Sequence, residues 1–204
     1  MYSSIKDYCN NLVTSFDSIS QERKSILQNL VNYIKSKIDS YQDINLVYVC
    51  THNSRRSHFG QVWAAVAASY YGIQNVKTFS GGTEETAFNI NAINALKRIG
   101  FEIMDDNFIS NPKYSVYYSD NEFSVCFSKV YNNKENPSSL FAAIMTCSDA
   151  ELNCPYIPGV ELRIGITYND PKEFDNTPFQ DAKYDERSKQ IALEAFYVFS
   201  KINK

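Results

Sequence analysis

The sequence predicts an α/β fold in which a small parallel sheet, of four or slightly more strands, has helices on both faces. Short runs rich in β-branched and aromatic residues alternate with stretches that have the apolar period of a helix. Strands separated by helices of this length form right-handed βαβ units, whose parallel sheet is covered on both sides. The 204 residues are enough for one ordinary domain, or for one domain with an extension.

Residues 1–43 are predicted to form a helical extension that precedes the α/β domain at residues 44–204. Within residues 21–38, apolar side chains recur with the period of one helix face, and Ser20 is a suitable N-cap. The polar face of this helix mixes Gln, Asn, Lys and Glu, which is typical of a helix packed on a neighbouring domain. We therefore expect the extension to pack on the main domain.

The α/β domain is predicted to begin with a strand at residues 44–49 and a helix at residues 59–72, which Gly72 caps. Further along, the same patterns predict a strand at 76–80, a turn at Gly81 and Gly82, a helix at 89–100, strands at 140–147 and 160–166, and a C-terminal helix around 183–202. Residues 114–131 break this order because their apolar residues alternate with period 2 around a polar turn. We interpret them as a β-hairpin inserted at the sheet edge.

Composition narrows the classes of function. The 20 Lys and Arg residues against 23 Asp and Glu give a net charge of −3, which does not indicate a nucleic-acid or membrane surface. No apolar run is long enough for a membrane helix or a signal peptide, so we expect a cytoplasmic protein. The five cysteines are odd in number and contain no CxxC pair, and with only two histidines they predict no disulfide framework, metal or cofactor. Some of these thiols are therefore candidates for chemistry.

Cys50 ends the first predicted strand, and Arg56 follows it after a five-residue gap, at the start of a helix. The backbone N–H groups of residues 51–55 and the positive end of the helix dipole form a site for an oxyanion. A thiol there is favoured as the nucleophilic thiolate, and the arginine fork can hold two oxygens of a tetrahedral anion. Asn53 tolerates the backbone angles of a tight loop, and Ser57 can donate its hydroxyl to the sulfur. Since the spacing alone is weak evidence, an inert buried thiol is the alternative.

Three motifs resemble the low-molecular-weight protein tyrosine phosphatase superfamily over about residues 44–203: CTHNSRRS at 50–57, SGGTEE at 80–85 and NDP at 169–171. The resemblance implies that Cys50 is the nucleophile and that Asp170 donates a proton to the leaving oxygen. It further implies that Arg56 and the loop bind the oxyanion, through Thr51, His52, Asn53, Ser54, Arg55 and Ser57.

Two further cysteines resemble those of the thioredoxin-coupled arsenate reductases, which carry the pattern of MTCSDAELNCP at residues 145–155. The resemblance implies a relay in which Cys50 attacks arsenate, Cys147 attacks Cys50, and Cys154 attacks Cys147 before a thioredoxin-like reductant restores the thiols. In a continuous helix, the Cα atoms of Cys147 and Cys154 would lie roughly 10 Å apart, whereas a disulfide needs about 4.4 to 6.8 Å. This segment would therefore refold on oxidation. Two unrelated free thiols are the alternative.

Two other functions stay open. A phosphatase of the same superfamily would hydrolyse phosphotyrosine or another phosphomonoester, but Lys172 and Glu173 follow the Asp-Pro pair where that branch has aromatic residues, unless Tyr168 or Phe174 substitutes. A silent oxyanion-binding module is the third possibility. Arg55, at a position where relatives often have a second cysteine, could steer larger phosphorylated substrates or be a solvated charge at the helix start, and we favour the second interpretation. Of the two histidines, we expect His52 to lie near the anion and His58 to be structural.

Overall fold

A computed structural model describes residues 1–106, 110–153 and 157–202. The strands are β1 (Ile44–Cys50), β2 (Val76–Gly82), β3 (Glu102–Asp105), β4 (Tyr114–Tyr117), β5 (Phe123–Cys126), β6 (Phe141–Met145) and β7 (Val160–Gly165). The α-helices are α1 (Ser3–Val13), α2 (Gln21–Asp39), α3 (Arg56–Tyr71), α4 (Ile90–Ile99), α5 (Ser148–Asn153) and α6 (Gln180–Ser200). No helix within these ranges is long and apolar enough to cross a membrane.

The central sheet is parallel and has the strand order β2-β1-β6-β7. This order confirms the predicted α/β fold with a small parallel sheet. β1 lies in the middle, with Val47 opposite Phe79 of β2 and Ala143 of β6. It is almost wholly apolar, as expected for a strand that is covered on both faces.

The two faces of the sheet bury alternate residues of β1. Leu46 and Tyr48 join a large core with the long helices, whereas Val47 and Val49 join a smaller cluster beneath α5. Gly72 and Gly100 end α3 and α4 in the left-handed conformation that glycine adopts at little cost. Because β1 and β6 are parallel neighbours, their carboxyl ends lie at the same edge of the sheet, where the following loops lead into α3 and α5.

The N-terminal helices share the large core with the sheet. Ser20 caps α2 by accepting a hydrogen bond from Arg23 N at 3.2 Å, as predicted. On α1, Ile5 is fully buried, and the ring of Tyr8 stacks on Trp63 of α3 with 5.5 Å between centroids. The expected packing of the extension on the main domain is thus present.

The predicted hairpin is present as β4 and β5, but it does not extend the central sheet. It forms a second, antiparallel sheet with β3, a short strand that we did not predict because EIMD lacks period-2 alternation and is mostly exposed. The chain that leaves the hairpin meets the edge strand β2 through a parallel bridge between Gly82 and Val130. This contact brings the residues after the hairpin close to the loop that follows Cys50.

Candidate active site

Cys50 lies at the end of β1 with its side chain almost wholly buried. Its Sγ is 3.1 Å from the hydroxyl of Ser57, in the first turn of α3. The Ser57 oxygen accepts a hydrogen bond from Asn53 Nδ2 at 2.8 Å. Because a serine hydroxyl has one proton and its oxygen already accepts from Asn53, the O–H is free to donate to the sulfur. Ser57 therefore places a hydrogen-bond donor at the sulfur of Cys50.

The loop after Cys50 turns its carbonyl groups outward. Cys50 O accepts from Thr83 N (3.2 Å), Thr51 O from Glu84 N (2.8 Å), His52 O from Thr86 Oγ1 (2.9 Å) and Ser128 Oγ (3.0 Å), Ser54 O from Asn89 N (2.9 Å), and Arg55 O from Phe59 N (3.0 Å). In a planar trans peptide, the next N–H points the opposite way from the carbonyl. The N–H groups of Thr51, His52, Asn53, Arg55 and Arg56 consequently face the interior of the loop. An oxyanion there meets converging donors.

Two residues, Asn53 and Gly82, allow the Cys50 loop to form a tight turn. Asn53 has a φ of 43°, in the left-handed region that asparagine tolerates better than most residues. Gly82 lies so close to the loop that an added Cβ would be 2.7 Å from Thr51 O and 2.8 Å from Asn53 N. Behind the loop, Lys129 N donates to Asn53 Oδ1 at 2.8 Å. A side chain larger than that of glycine would not fit at Gly82, the second glycine of the SGGTEE motif. The chain that leaves the hairpin supports the loop through Lys129.

Arg56 joins the loop to Asp170. Its NH2 group donates to Asp170 Oδ2 at 2.7 Å and its NH1 group to Tyr168 O at 2.9 Å. The side chain is buried, and Arg56 Nε has no acceptor among the residues that the structure describes. A buried donor without a partner costs about 1–3 kcal/mol. A bound oxyanion would remove this cost, so the guanidinium keeps one donor for a ligand while it holds the candidate acid.

Arg55 is not a solvated charge, and that interpretation is wrong. Arg55 is only 9% exposed. Its Nε donates to the hydroxyl of Tyr184 at 2.8 Å, and its NH2 group lies 3.5 Å from Asp175 Oδ2. Tyr184 donates in turn to Asp175 Oδ1 at 2.7 Å, and burial raises the pKa of this phenol to about 12. Arg55 also lies 3.9 Å from Asp170, so two guanidinium groups flank the candidate acid. No local signal in the sequence indicated Tyr184 or Asp175.

Cys147 follows β6, the strand beside β1. Because Val49 is opposite Met145, the two chains leave the same edge of the sheet. The Sγ of Cys147 lies 3.4 Å from the hydroxyl of Thr51, the first residue of the Cys50 loop. Cys147 is only 1% exposed, and Ala150 N donates to its sulfur at 3.4 Å. The structure therefore brings Cys147, the second cysteine of the predicted relay, against the Cys50 loop. The third, Cys154, lies outside the described residues.

The remaining cysteines and the histidines have other surroundings. Burial raises the pKa of Cys9 on α1 and of Cys126 on β5 to about 12, so both stay protonated thiols. His52 is half-exposed with Nε2 3.5 Å from Glu84, whereas His58 is fully buried with Nδ1 3.1 Å from the Ser80 hydroxyl. Burial holds the pKa of His58 well below its usual value. Within the described part of the chain, no cluster of three His, Cys, Asp or Glu side chains is arranged to hold a metal ion.

Known proteins resemble this chain in sequence. No protein-family model matches the chain. It is 28% identical to an arsenate reductase of Staphylococcus aureus over 151 residues, which cover 74% of this chain and 94% of that protein. An arsenate reductase of Bacillus subtilis is 28% identical over 132 residues, which cover 65% of this chain and 77% of the relative.

Solved structures share the fold. An arsenate reductase in the phosphate-binding state superposes with a TM-score of 0.51 at 14% identity, over 78% of this chain and 99% of that one. A low-molecular-weight phosphotyrosine phosphatase of Vibrio cholerae gives a TM-score of 0.50 at 13% identity, over 77% and 94%. Together with the sequence relatives, these matches confirm the resemblance to the low-molecular-weight phosphatase superfamily and its arsenate reductase branch.

Proposed function

Because the chain has the fold of the low-molecular-weight phosphatases and arsenate reductases among its sequence relatives, we propose that it reduces arsenate to arsenite. The observation that carries the proposal is the position of Cys147, whose sulfur lies 3.4 Å from the hydroxyl that begins the Cys50 loop. A phosphatase needs one thiol at this edge of the sheet, whereas a reductase that transfers two electrons from thiols needs two.

In the first step, the Cys50 thiolate attacks the arsenic atom of arsenate. The inward N–H groups of the loop and the free donor of Arg56 bind the arsenate oxygens and the charge that develops on them. Asp170 gives a proton to a departing hydroxyl, which leaves as water, and an S–As bond forms. Arg56 is the link in this step, because the same guanidinium serves the oxyanion and holds the carboxyl group of Asp170 at 2.7 Å.

In the second step, the Cys147 thiolate attacks the sulfur of Cys50. An S–S bond forms, the S–As bond breaks, and its electron pair leaves with arsenic, so As(V) becomes As(III) while two thiols are oxidised. Cys154 then attacks Cys147, which frees Cys50 and moves the disulfide to the Cys147–Cys154 pair. A dithiol reductant of the thioredoxin type restores both thiols. Such a cycle requires a reducing compartment, in keeping with the expected cytoplasmic location.

A phosphatase of the same superfamily is the second candidate, because Cys50, Arg56 and Asp170 also form a complete set for phosphomonoester hydrolysis through a cysteinyl phosphate. Tyr168 does not supply the aromatic wall that such an enzyme uses for a substrate ring. Its hydroxyl donates to Glu194 at 2.8 Å, and its ring packs against Arg23. Lys172 and Glu173 are exposed and not aromatic. Phe174, the other aromatic candidate, is half-buried, with the ammonium of Lys183 5.3 Å from its ring centroid. The contacts of both rings favour a small inorganic oxyanion over a phosphotyrosine side chain.

The test compares arsenate reduction in the presence of thioredoxin with hydrolysis of p-nitrophenyl phosphate. We expect Cys50→Ser to lose both activities and Cys147→Ser to lose only the reduction. Cys9→Ser is the matched control, since Cys9 is a buried free thiol on α1, and it should retain both.

Three outcomes would contradict the proposal. Hydrolysis by the wild type without reduction would favour the phosphatase. Equal reduction by Cys147→Ser and Cys9→Ser would remove the relay. Binding of phosphate without turnover of either substrate would leave an oxyanion-binding module.

A further inference from the structure

Residues 167–170, which we call the acid loop, carry the candidate proton donor and are held by Arg56 on one side. Arg56 donates to Tyr168 O at 2.9 Å and to Asp170 Oδ2 at 2.7 Å. Two hydrogen bonds from one planar guanidinium fix the direction of the loop as well as its distance. The carboxyl group of Asp170 can therefore act on the bound oxyanion only while this loop keeps its place.

Arg23 of α2 holds the acid loop from the other side. Its NH2 group donates to Thr167 O at 3.1 Å, and its guanidinium lies over the ring of Tyr168, 4.9 Å from the centroid. Consecutive residues of the loop are thus tied to one side chain of the N-terminal helix. A planar guanidinium suits this position, because it can stack on a ring and donate at its edge at the same time.

The carboxylate of Glu194, on α6, ties this arrangement together. Its Oε2 accepts from Arg23 Nε at 3.0 Å and from the hydroxyl of Tyr168 at 2.8 Å. Glu194 is only 4% exposed, so protein groups rather than water supply its hydrogen bonds. Removal of Arg23 would take away the cation that is hydrogen-bonded to this buried carboxylate; the phenol of Tyr168 would be the donor that remains among the described contacts, with Arg187 as a nearby positive charge. The hydroxyl of Tyr168 thereby connects Glu194 to the acid loop.

We propose that Arg23 is a positioning residue for the candidate general acid, so that the N-terminal helix α2 takes part in catalysis although it carries none of the three motifs. The inference rests on the proposed role of Asp170 as proton donor. Arg23 acts through the acid loop and does not touch the substrate. It sets the position of Tyr168 O and Asp170, and through them the orientation of Arg56.

The simpler alternative is that Arg23 only anchors α2 to the domain. Lys37 provides the control, because it lies on the same helix, is 5% exposed, and pairs with Glu161 of β7 at 2.6 Å. Its partner is on the central sheet and away from the acid loop. A loss of anchoring should therefore appear equally in Arg23→Met and Lys37→Met, whereas a loss of positioning should appear only in the first.

The kinetic test uses two aryl phosphates that differ in their leaving groups. A general acid contributes about 100-fold to 10,000-fold, and its contribution grows as the leaving group becomes poorer. We expect Arg23→Met to lower kcat about tenfold for phenyl phosphate and about threefold or less for p-nitrophenyl phosphate. Lys37→Met should leave the ratio of the two unchanged. Arg23→Lys keeps the charge but loses the planar fork, so its ratio should fall between wild type and Arg23→Met.

A second measurement does not depend on turnover. Tyr168 N donates to Thr146 O at 3.1 Å, so hydrogen exchange at this amide reports on the acid loop. We expect exchange there to be at least tenfold faster in Arg23→Met, less so in Arg23→Lys, and unchanged in Lys37→Met. If wild type turns over neither arsenate nor an aryl phosphate, the proposed function fails while the exchange result still decides on the loop. Wild-type exchange in both Arg23 variants, or equal effects of Arg23→Met and Lys37→Met, would overturn the inference.

Discussion

Gly82 packs closely against the Cys50 loop, and this contact leads to a quantitative prediction for Gly82→Ala. The new Cβ would lie 2.5 Å from Glu84 O, 2.7 Å from Thr51 O and 2.8 Å from Asn53 N. Ordinary contacts of a Cβ begin at 3.4 Å, so these backbone atoms must retreat by roughly 0.6 to 0.9 Å. None of them is the flexible end of a side chain, so the loop itself has to move.

The cost should appear both in stability and in oxyanion binding. Overpacking of this kind costs about 1–3 kcal/mol of unfolding free energy. A displacement approaching 1 Å can cost about 100-fold where donors must converge on one ligand. We therefore expect Gly82→Ala to bind inorganic phosphate about 10-fold to 100-fold more weakly, which corresponds to about 1.4–2.8 kcal/mol. Isothermal titration calorimetry with phosphate and urea unfolding measure the two effects separately.

Gly165→Ala is the matched control, because Gly165 also ends a strand of the same parallel sheet. There the added Cβ would meet the carboxylate of Glu151, which can rotate away. We expect wild-type phosphate affinity in this variant. Equal phosphate binding by Gly82→Ala, wild type and Gly165→Ala would refute the claim that the loop amides form the oxyanion site.

Three more perturbations test the surroundings of the loop. Tyr184→Phe removes the hydroxyl that accepts from Arg55, and since hydrogen bonds to charged groups contribute about 1.5–3 kcal/mol, urea unfolding should show a loss in that range. The pKa of His58 is held below its usual value by burial, so below about pH 6.5 the unfolded state takes up a proton that the folded state excludes. Stability should therefore fall as the pH drops from 6.5 to 5.5, by up to about 1.4 kcal/mol per pH unit, and urea unfolding of His58→Gln should show a smaller slope than wild type. Asp170→Asn should lower kcat for phenyl phosphate about 100-fold or more if this carboxyl is the general acid, and a change below about threefold in steady-state assays would contradict that role.

The central sheet and the Cys50 loop were predictable because their signals are local. β1 is an apolar run that ends at Cys50, and Asn53 and Gly82 are residue types that a tight loop demands at their positions. The motif that contains Asp170 indicated a candidate acid, and the structure places that carboxyl group 2.7 Å from Arg56, 114 residues away in the chain.

The surroundings of the loop were not predictable, because they depend on contacts between distant segments. Arg55 resembles a solvated charge until α6 supplies Tyr184, 129 residues later. Arg23 resembles an ordinary charge in the first turn of a helix, and only the packing of α2 places it against Thr167, 144 residues away. A period or a spacing carries no information about such pairs, so the sequence indicated Asp170 as a candidate acid but not the charged partners of its loop.

Arg55 also bears on which reaction the site supports. A thiol at this position would lie in the same loop as Cys50 and would compete with Cys147 in the proposed relay. The buried guanidinium removes that possibility, and its contacts with Tyr184 and Asp175 keep it turned toward α6. Among the residues that the structure describes, the thiol that contacts the Cys50 loop is that of Cys147, whose Sγ lies next to the hydroxyl of Thr51. In the proposed relay, this arrangement directs the disulfide of Cys50 to Cys147, since residues 51–56 contain no other cysteine.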